Sequence, residues 1–191
     1  MISNIMKNSK DRKNLNNIFI CVTIMIVILT NFSFVGIANN SYEDNENQNR
    51  EILRWLSYDQ ALTKSKIENI PTLVYFYSDS CSWCRKLEEE TFNNPEVAET
   101  MNKKFAIVKI NSTSSKSIIM KDKEITEKQL SQEVYKVNAN PTIWFLSSKE
   151  ERIAPLPGYA PAEDFINVLN YIKGEYYKNY TFPEYIKNMA K

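Results

Sequence analysis

An α/β domain with a central mixed sheet flanked by helices is the fold class this sequence predicts, and three observations predict it. Two short runs of apolar, β-branched and aromatic residues, Thr72–Tyr77 (TLVYFY) and Thr142–Leu146 (TIWFL), read as strands covered on both faces. Segments with helical spacing and helix-capping residues alternate with such runs. The 191 residues suffice for one domain of about 140 residues plus an extension, and not for two domains.

The extension comes first. Lys7, Lys10, Arg12 and Lys13 precede an apolar run from Ile18 to Leu29, and less regular apolar residues continue to Ile37. At about 1.5 Å per residue the regular run spans roughly 18 Å, short of the ~30 Å hydrocarbon layer. Continuing the helix to Ala38 would cross, but would bury Thr30, Asn31 and Ser33. Gly36-Ile37-Ala38 supplies the small residues a signal peptidase needs. Residues 1–38 are thus expected to be a signal peptide cleaved after Ala38 or a retained N-terminal membrane anchor. Either puts the remainder outside the cytoplasm. Asn39 to Arg50 (NNSYEDNENQNR) has almost nothing to bury and reads as a flexible linker, leaving 51–191 for the domain.

Within the domain, a short strand is expected at Ile52–Trp55. Ser57 and Gln60 form a capping box for a helix with Tyr58, Ala61 and Leu62 on one face, which Pro71 stops. The Thr72–Tyr77 strand leads to a helix running from the cysteines to about Thr91, with Leu87 one turn beyond Cys84. Asn94 caps a further helix that has Pro95 at its first position. Phe105–Ile110 is the next strand, and the polar stretch Asn111 to Glu124 separates it from a helix opened by Thr126 and Gln129. After Thr142–Leu146 a weaker strand is expected at Arg152–Ala154. Pro161 starts a long helix with Phe165, Val168, Leu169 and Ile172 on one stripe. Phe182, Tyr185, Ile186 and Met189 suggest a last short helix packing back on the domain.

Composition excludes several chemistries. The chain has no histidine, which removes Ser-His-Asp and Cys-His catalysis, His-ligated metal and a histidine pH switch. Three cysteines cannot complete a four-cysteine zinc site or iron–sulfur cluster, so neither a metal nor a cofactor is expected. Removing residues 1–38 takes away four bases and one acid, leaving 20 bases against 22 acids and no electrostatic footprint for nucleic acid. Cys21 falls in the apolar segment, so Cys81 and Cys84 are the cysteines of the exported part. Two cysteines three apart in an oxidising compartment suggest redox chemistry.

Cys81-Ser82-Trp83-Cys84 sits where an apolar strand ends and a helix begins. A thiol in the first turn of a helix faces unpaired backbone N–H groups and the positive end of the macrodipole, which stabilise its thiolate. Its partner lies one turn on, close enough to close a disulfide. A free thiol of pKa about 8.5 is roughly 3% ionised at pH 7, and a pKa of about 7 makes it roughly 50% ionised. Nucleophilicity falls with pKa at a slope near 0.5, so the net gain in attack rate is about threefold. Access and substrate alignment must supply the rest. A structural disulfide at this spacing would close too short a loop to gain much chain entropy.

The run LVYFYSDSCSWCRKLEEETF, the later Asn-Pro-Thr before an apolar strand and the Pro-Gly-Tyr before the last long helix resemble the thioredoxin superfamily. The likeness extends from about Ile52 to Tyr185 and is nearest to exported thioredoxin-related proteins, SoxW-like or like the C-terminal domain of the DsbD transmembrane reductase. It implies a thioredoxin-like fold in which Asn111 to Glu124 is an insertion before the helix preceding the cis-proline strand. It implies Cys81 as attacking thiol, Cys84 as resolving thiol and Pro141 as a cis-proline facing them. Asn140 would present its backbone to an extended substrate, and Ser82 and Trp83 would complete the substrate contact, with packing on a neighbouring loop the alternative for Trp83. The family's buried carboxylate, six residues before the first cysteine, is replaced by Tyr75. Lys109 therefore lacks its usual acid partner, and either Asp79 or water takes the proton of Cys84 or that deprotonation is slower. The resemblance implies a thiol–disulfide oxidoreductase, expected to reduce protein disulfides and to draw electrons from a membrane thiol donor. Membrane contact is expected through the N-terminal segment alone. A thiol oxidant and a redox-inert peptide-binding module are the alternatives.

Overall fold

The computed structural model describes residues 52–121 and 123–188. The export segment, Cys21, the linker and Met189 lie outside these residues. A sheet in the order β2-β1-β5-β6 organises the domain. Strand β1 (Thr72–Tyr77) pairs in parallel with β2 (Ala106–Asn111) and antiparallel with β5 (Thr142–Leu146), which pairs antiparallel with β6 (Arg152–Pro157). The sheet is mixed, as expected, and β1 is central.

Alternation along β1 divides the core into two layers. Leu73 and Tyr75 face one side, packing with Leu87, Phe92, Val97, Met101 and Phe165; Val74 and Phe76 face the other, packing with Tyr58, Ala61, Leu130 and Tyr135. Every β1 side chain from Thr72 to Phe76 is 0% exposed, so this run could not have taken the alternating apolar–polar pattern of a half-solvated strand.

Helix α1 (Tyr58–Glu68) has the expected capping box, in which Ser57 accepts from the Gln60 N–H and Gln60 reaches back to Ser57. It ends earlier than Pro71 because Asn69 takes the left-handed conformation (φ 52°) and its N–H caps Ser65. Helix α2 (Ser82–Lys86) widens into a π-helical segment (Leu87–Phe92), and α3 (Pro95–Lys104) begins under the Asn94 cap. After a second capping box at Thr126 and Gln129, α4 (Glu127–Gln129) also widens, into a π-helical segment at Leu130–Val134. Helix α5 (Ala162–Lys173) buries Phe165, Leu169 and Ile172, and α6 (Phe182–Asn188) closes on it through Tyr171, Phe182 and Tyr185.

Four expectations need correction. Ile52–Trp55 is not a strand: the side chain of Asn102 holds this segment at Arg54 N–H and Ile52 C=O, and Leu56 alone bridges to Val108. The polar stretch after β2 holds β3 (Ser117–Met120), which pairs with β4 (Lys123–Thr126) in a hairpin. Polar flanks obscured it: each strand is four residues long, and Ile118, Met120 and Ile125, which pack on the second core layer, are set among serine, lysine and acidic residues. Strand β6 runs on to Pro157, where edge position tolerates proline. Ile186 is exposed, at 37%, rather than packed inward.

Candidate active site

Cys81 and Cys84 are joined in a disulfide with a Cα–Cα distance of 5.2 Å. Cys81 is the N-cap of α2, and its sulfur accepts from the backbone N–H of Cys84 at 3.0 Å. One of the helix's unpaired donors is thus spent on the sulfur that would carry charge as a thiolate. The two sulfurs are unequal. Cys81 is half-buried at the surface, while Cys84 is 1% exposed and belongs to the core layer with Tyr75 and Leu87.

Around Cys81 the surface is formed by Ser82 and Trp83, both exposed, and by the loop after β6. Trp83 is 55% exposed and still touches the Tyr159 ring at 5.9 Å, so solvent presentation and loop packing hold together. The Lys86 amine sits over both rings at 5.2 and 4.9 Å, and the Tyr159 hydroxyl donates to Glu90 at 2.6 Å. That hydrogen bond to a carboxylate holds the Tyr159 phenol pKa above its usual value.

The Asn140–Pro141 peptide is cis. The Pro141 carbonyl accepts from Gly158 N–H at 2.8 Å, which ties this turn to the Tyr159 loop. Gly158 has φ 84°, a conformation that favours glycine, and the space in front of its Cα is open. Asn140 Oδ1 accepts from the Ser112 hydroxyl at 3.1 Å, whereas its backbone N–H and C=O have no partner among the described residues.

Below Cys84 lies a cluster that sequence reasoning missed. The Tyr75 hydroxyl donates to Glu88 Oε1 at 3.0 Å and lies 3.5 Å from the Cys84 carbonyl oxygen. The Lys109 ammonium donates to the same Glu88 oxygen at 2.9 Å. The acid partner of Lys109 is therefore present, brought from the π-helical segment rather than from β1. Asp79, the expected substitute, instead accepts from the Asn111 side chain at 2.9 Å. Burial, with Glu88 nearby, pushes the Tyr75 phenol far above its ordinary pKa. The spacing of Glu88, four residues after Cys84, was the signal available. Among the described residues no group of carboxylates and cysteines is placed to hold a metal ion.

Residues 58–173, more than half of the chain, match the thioredoxin-like domain family. The chain belongs to that family. Three curated relatives illustrate its range. DsbJ, a thioredoxin-related protein of Chlamydia pneumoniae, is 28% identical over 142 residues, 73% of this chain and 40% of that protein. The disulfide bond reductase DsbH of the same organism is 29% identical over 113 residues, 57% of this chain and 64% of that one. Spermatogenesis-associated protein 20 of Rattus norvegicus is 35% identical over 57 residues, 29% of this chain and 7% of that protein. The chain thus spans less than two thirds of each of these relatives. The solved DsbH oxidoreductase superposes with a TM-score of 0.52 at 21% identity, covering 64% of this chain and 85% of that one. A thioredoxin-fold protein from Helicobacter pylori gives 0.53 at 24% identity, covering 63% and 80%. These structural matches support the fold. With its CxxC disulfide and its relatives among the Dsb proteins, this thioredoxin-like domain is a thiol–disulfide oxidoreductase domain.

Proposed function

We propose that the whole protein reduces disulfides of other proteins outside the cytoplasm, using Cys81 as attacking thiol and Cys84 as resolving thiol. The observation that carries this reading is the inequality of the two sulfurs: one at the surface and capped by a helix N–H, the other in the core. The Cys81 thiolate attacks a client disulfide, forming a mixed disulfide and releasing one client thiolate. Cys84, after losing its proton, attacks Cys81 and releases the second client sulfur, leaving the Cys81–Cys84 disulfide. Ser82, Trp83, Asn140 and Pro141 are the proposed client contacts. The open backbone groups of Asn140 suit an extended client segment, and Trp83 offers it an apolar face.

The direction is supported by the name of the related DsbH, a disulfide bond reductase. Location outside the cytoplasm is supported by the basic and apolar N-terminal segment, proposed as residues 1–38, with 39–50 as linker and 51–191 as the domain. A reductase in an oxidising compartment needs recharging, which a membrane thiol donor would supply.

Insulin reduction by the full chain with dithiothreitol as reductant tests the reading. Parent protein accelerates precipitation of the insulin chains and Cys81→Ser returns to background; equal rates for the two would overturn it. A glutathione-equilibrated potential above about −150 mV, near the oxidant end of the family range, would overturn the direction.

A further inference from the structure

The loop that carries Asn140 and Pro141 belongs to no helix or strand: residues 135–141 are irregular, and Asn138 and Ala139 are exposed. Such a loop is ordered only as far as its neighbours hold it. We infer that Ser112 is a positioning residue that sets client specificity: its hydroxyl locks the Asn140 side chain, which favours extended protein clients over small disulfides. The inference rests on the oxidoreductase reading and on the client contact proposed for Asn140. Three observations carry it.

The first is a rigid donor. Ser112 directly follows β2, is 6% exposed, and bonds through its own N–H to the Tyr77 carbonyl at 2.8 Å. Its hydroxyl is therefore held on the frame of the sheet, where an unmade hydrogen bond would be costly. The acceptor it finds is Asn140 Oδ1, at 3.1 Å.

The second is what that bond leaves free. Asn140 is half-buried, Ser112 occupies its side-chain oxygen, and its Nδ2 has no partner among the described residues. The fixed amide thus keeps a donor available beside the unpaired backbone groups of the same residue. This set suits the carbonyl groups of an extended peptide and offers little to a disulfide that has no peptide groups.

The third is that the same strand end braces the cysteine turn. Asn111 donates to Asp79 Oδ2 at 2.9 Å, while its own Oδ1 accepts from the Thr113 N–H at 3.0 Å and the Thr113 hydroxyl at 2.8 Å. Two consecutive residues at the end of β2 therefore hold the two loops from which Cys81 and Asn140 come. Without the Ser112 bond the amide would have to be immobilised whenever a client docks, and ordering one side chain of this kind weakens binding about fivefold.

The test compares the rate constants with which insulin and hydroxyethyl disulfide oxidise the reduced full-length chain. Their ratio cancels differences in Cys81 reactivity and in the fraction folded. Ser112→Ala is expected to lower the insulin-to-small-disulfide ratio about fivefold, and Ser112→Thr, which keeps the hydroxyl, to restore most of it. Asn140→Ala should lower the ratio at least as far. Adding Ser112→Ala to Asn140→Ala should lower it no further, because both remove the same contact. A Ser112→Ala ratio equal to the parent's, or losses that multiply in the double variant, would overturn the role of Ser112. A parent oxidised by neither disulfide would overturn the oxidoreductase reading instead.

Discussion

The two sides of the cysteine pair are built differently. Beside Cys81 lies a rim of exposed and half-buried side chains, Trp83, Lys86, Tyr159 and Glu90, held by ring contacts, a cation over two rings and one hydrogen bond. Below Cys84 lies a floor of buried groups, Tyr75, Leu87 and Phe92, closed at its edge by the Glu88–Lys109 ion pair. Rim interactions are solvated and individually weak, so they do little to anchor the fold, and the client contact proposed for Trp83 lies among them. Floor interactions lie in a close-packed layer where loss of a single group is felt as a cavity or an unpaired polar atom. The same short helix serves both because its first turn faces outward and its second packs on the sheet.

Substitutions on the two sides should separate stability from recognition. The largest effect is expected in the floor. Leu87 is 0% exposed, and Leu87→Ala should destabilise the domain by about 3 kcal/mol, read as a lower urea midpoint at unchanged slope. A loss below about 1 kcal/mol would mean that the layer collapses freely around the gap and is not the rigid support described.

A pH effect of intermediate size should come from two buried phenols, Tyr75 in this floor and Tyr135 in the opposite core layer. Burial, the first cause for both, raises the phenol pKa values of Tyr75 and Tyr135 above 10.0 in the folded protein. A raised folded pKa gives stability that is complete below the unfolded value and is lost as pH climbs past it. Stability should therefore fall as pH rises above about 10, and tyrosinate absorbance from these two residues should appear only with unfolding. Their titration in the intact fold would contradict the burial.

The smallest effect belongs to the rim. Trp83→Ala should leave the urea midpoint nearly unchanged and raise KM for a protein disulfide about fivefold, equivalent to about 1 kcal/mol of contact. A drop in kcat at constant KM would place Trp83 in the chemistry and erase the contrast between the two sides.

Much of this was legible in the chain itself. The runs TLVYFY and TIWFL fall on β1 and β5, and both capping boxes stand where Ser57 and Thr126 predicted them. These signals are local: a cap acts within four residues, and continuous apolarity over a strand's length requires cover on both faces. The β3–β4 hairpin was not read because its strands are four residues each and the apolar Ile118, Ile119 and Met120 stand inside a run otherwise of serine, lysine and acidic residues, too short a signal to mark a strand. The expected Ile52–Trp55 strand failed for the converse reason, since Leu53 and Trp55 are apolar in order to pack on the core layer and not to join a ladder.

Glu88 shows the boundary most clearly. A search at fixed spacing from the first cysteine finds tyrosine where an acid is expected, and the acid sits in a run of three glutamates that reads as a solvated helix face. Sequence by itself determined that a CxxC pair stands at a strand-to-helix junction in an α/β domain, because turn position and apolar periodicity are properties of neighbouring residues. Only the tertiary structure decided which glutamate turns inward. That choice depends on a hydroxyl from β1 and an ammonium from β2 meeting one carboxylate, and no short-range rule brings residues 75, 88 and 109 together.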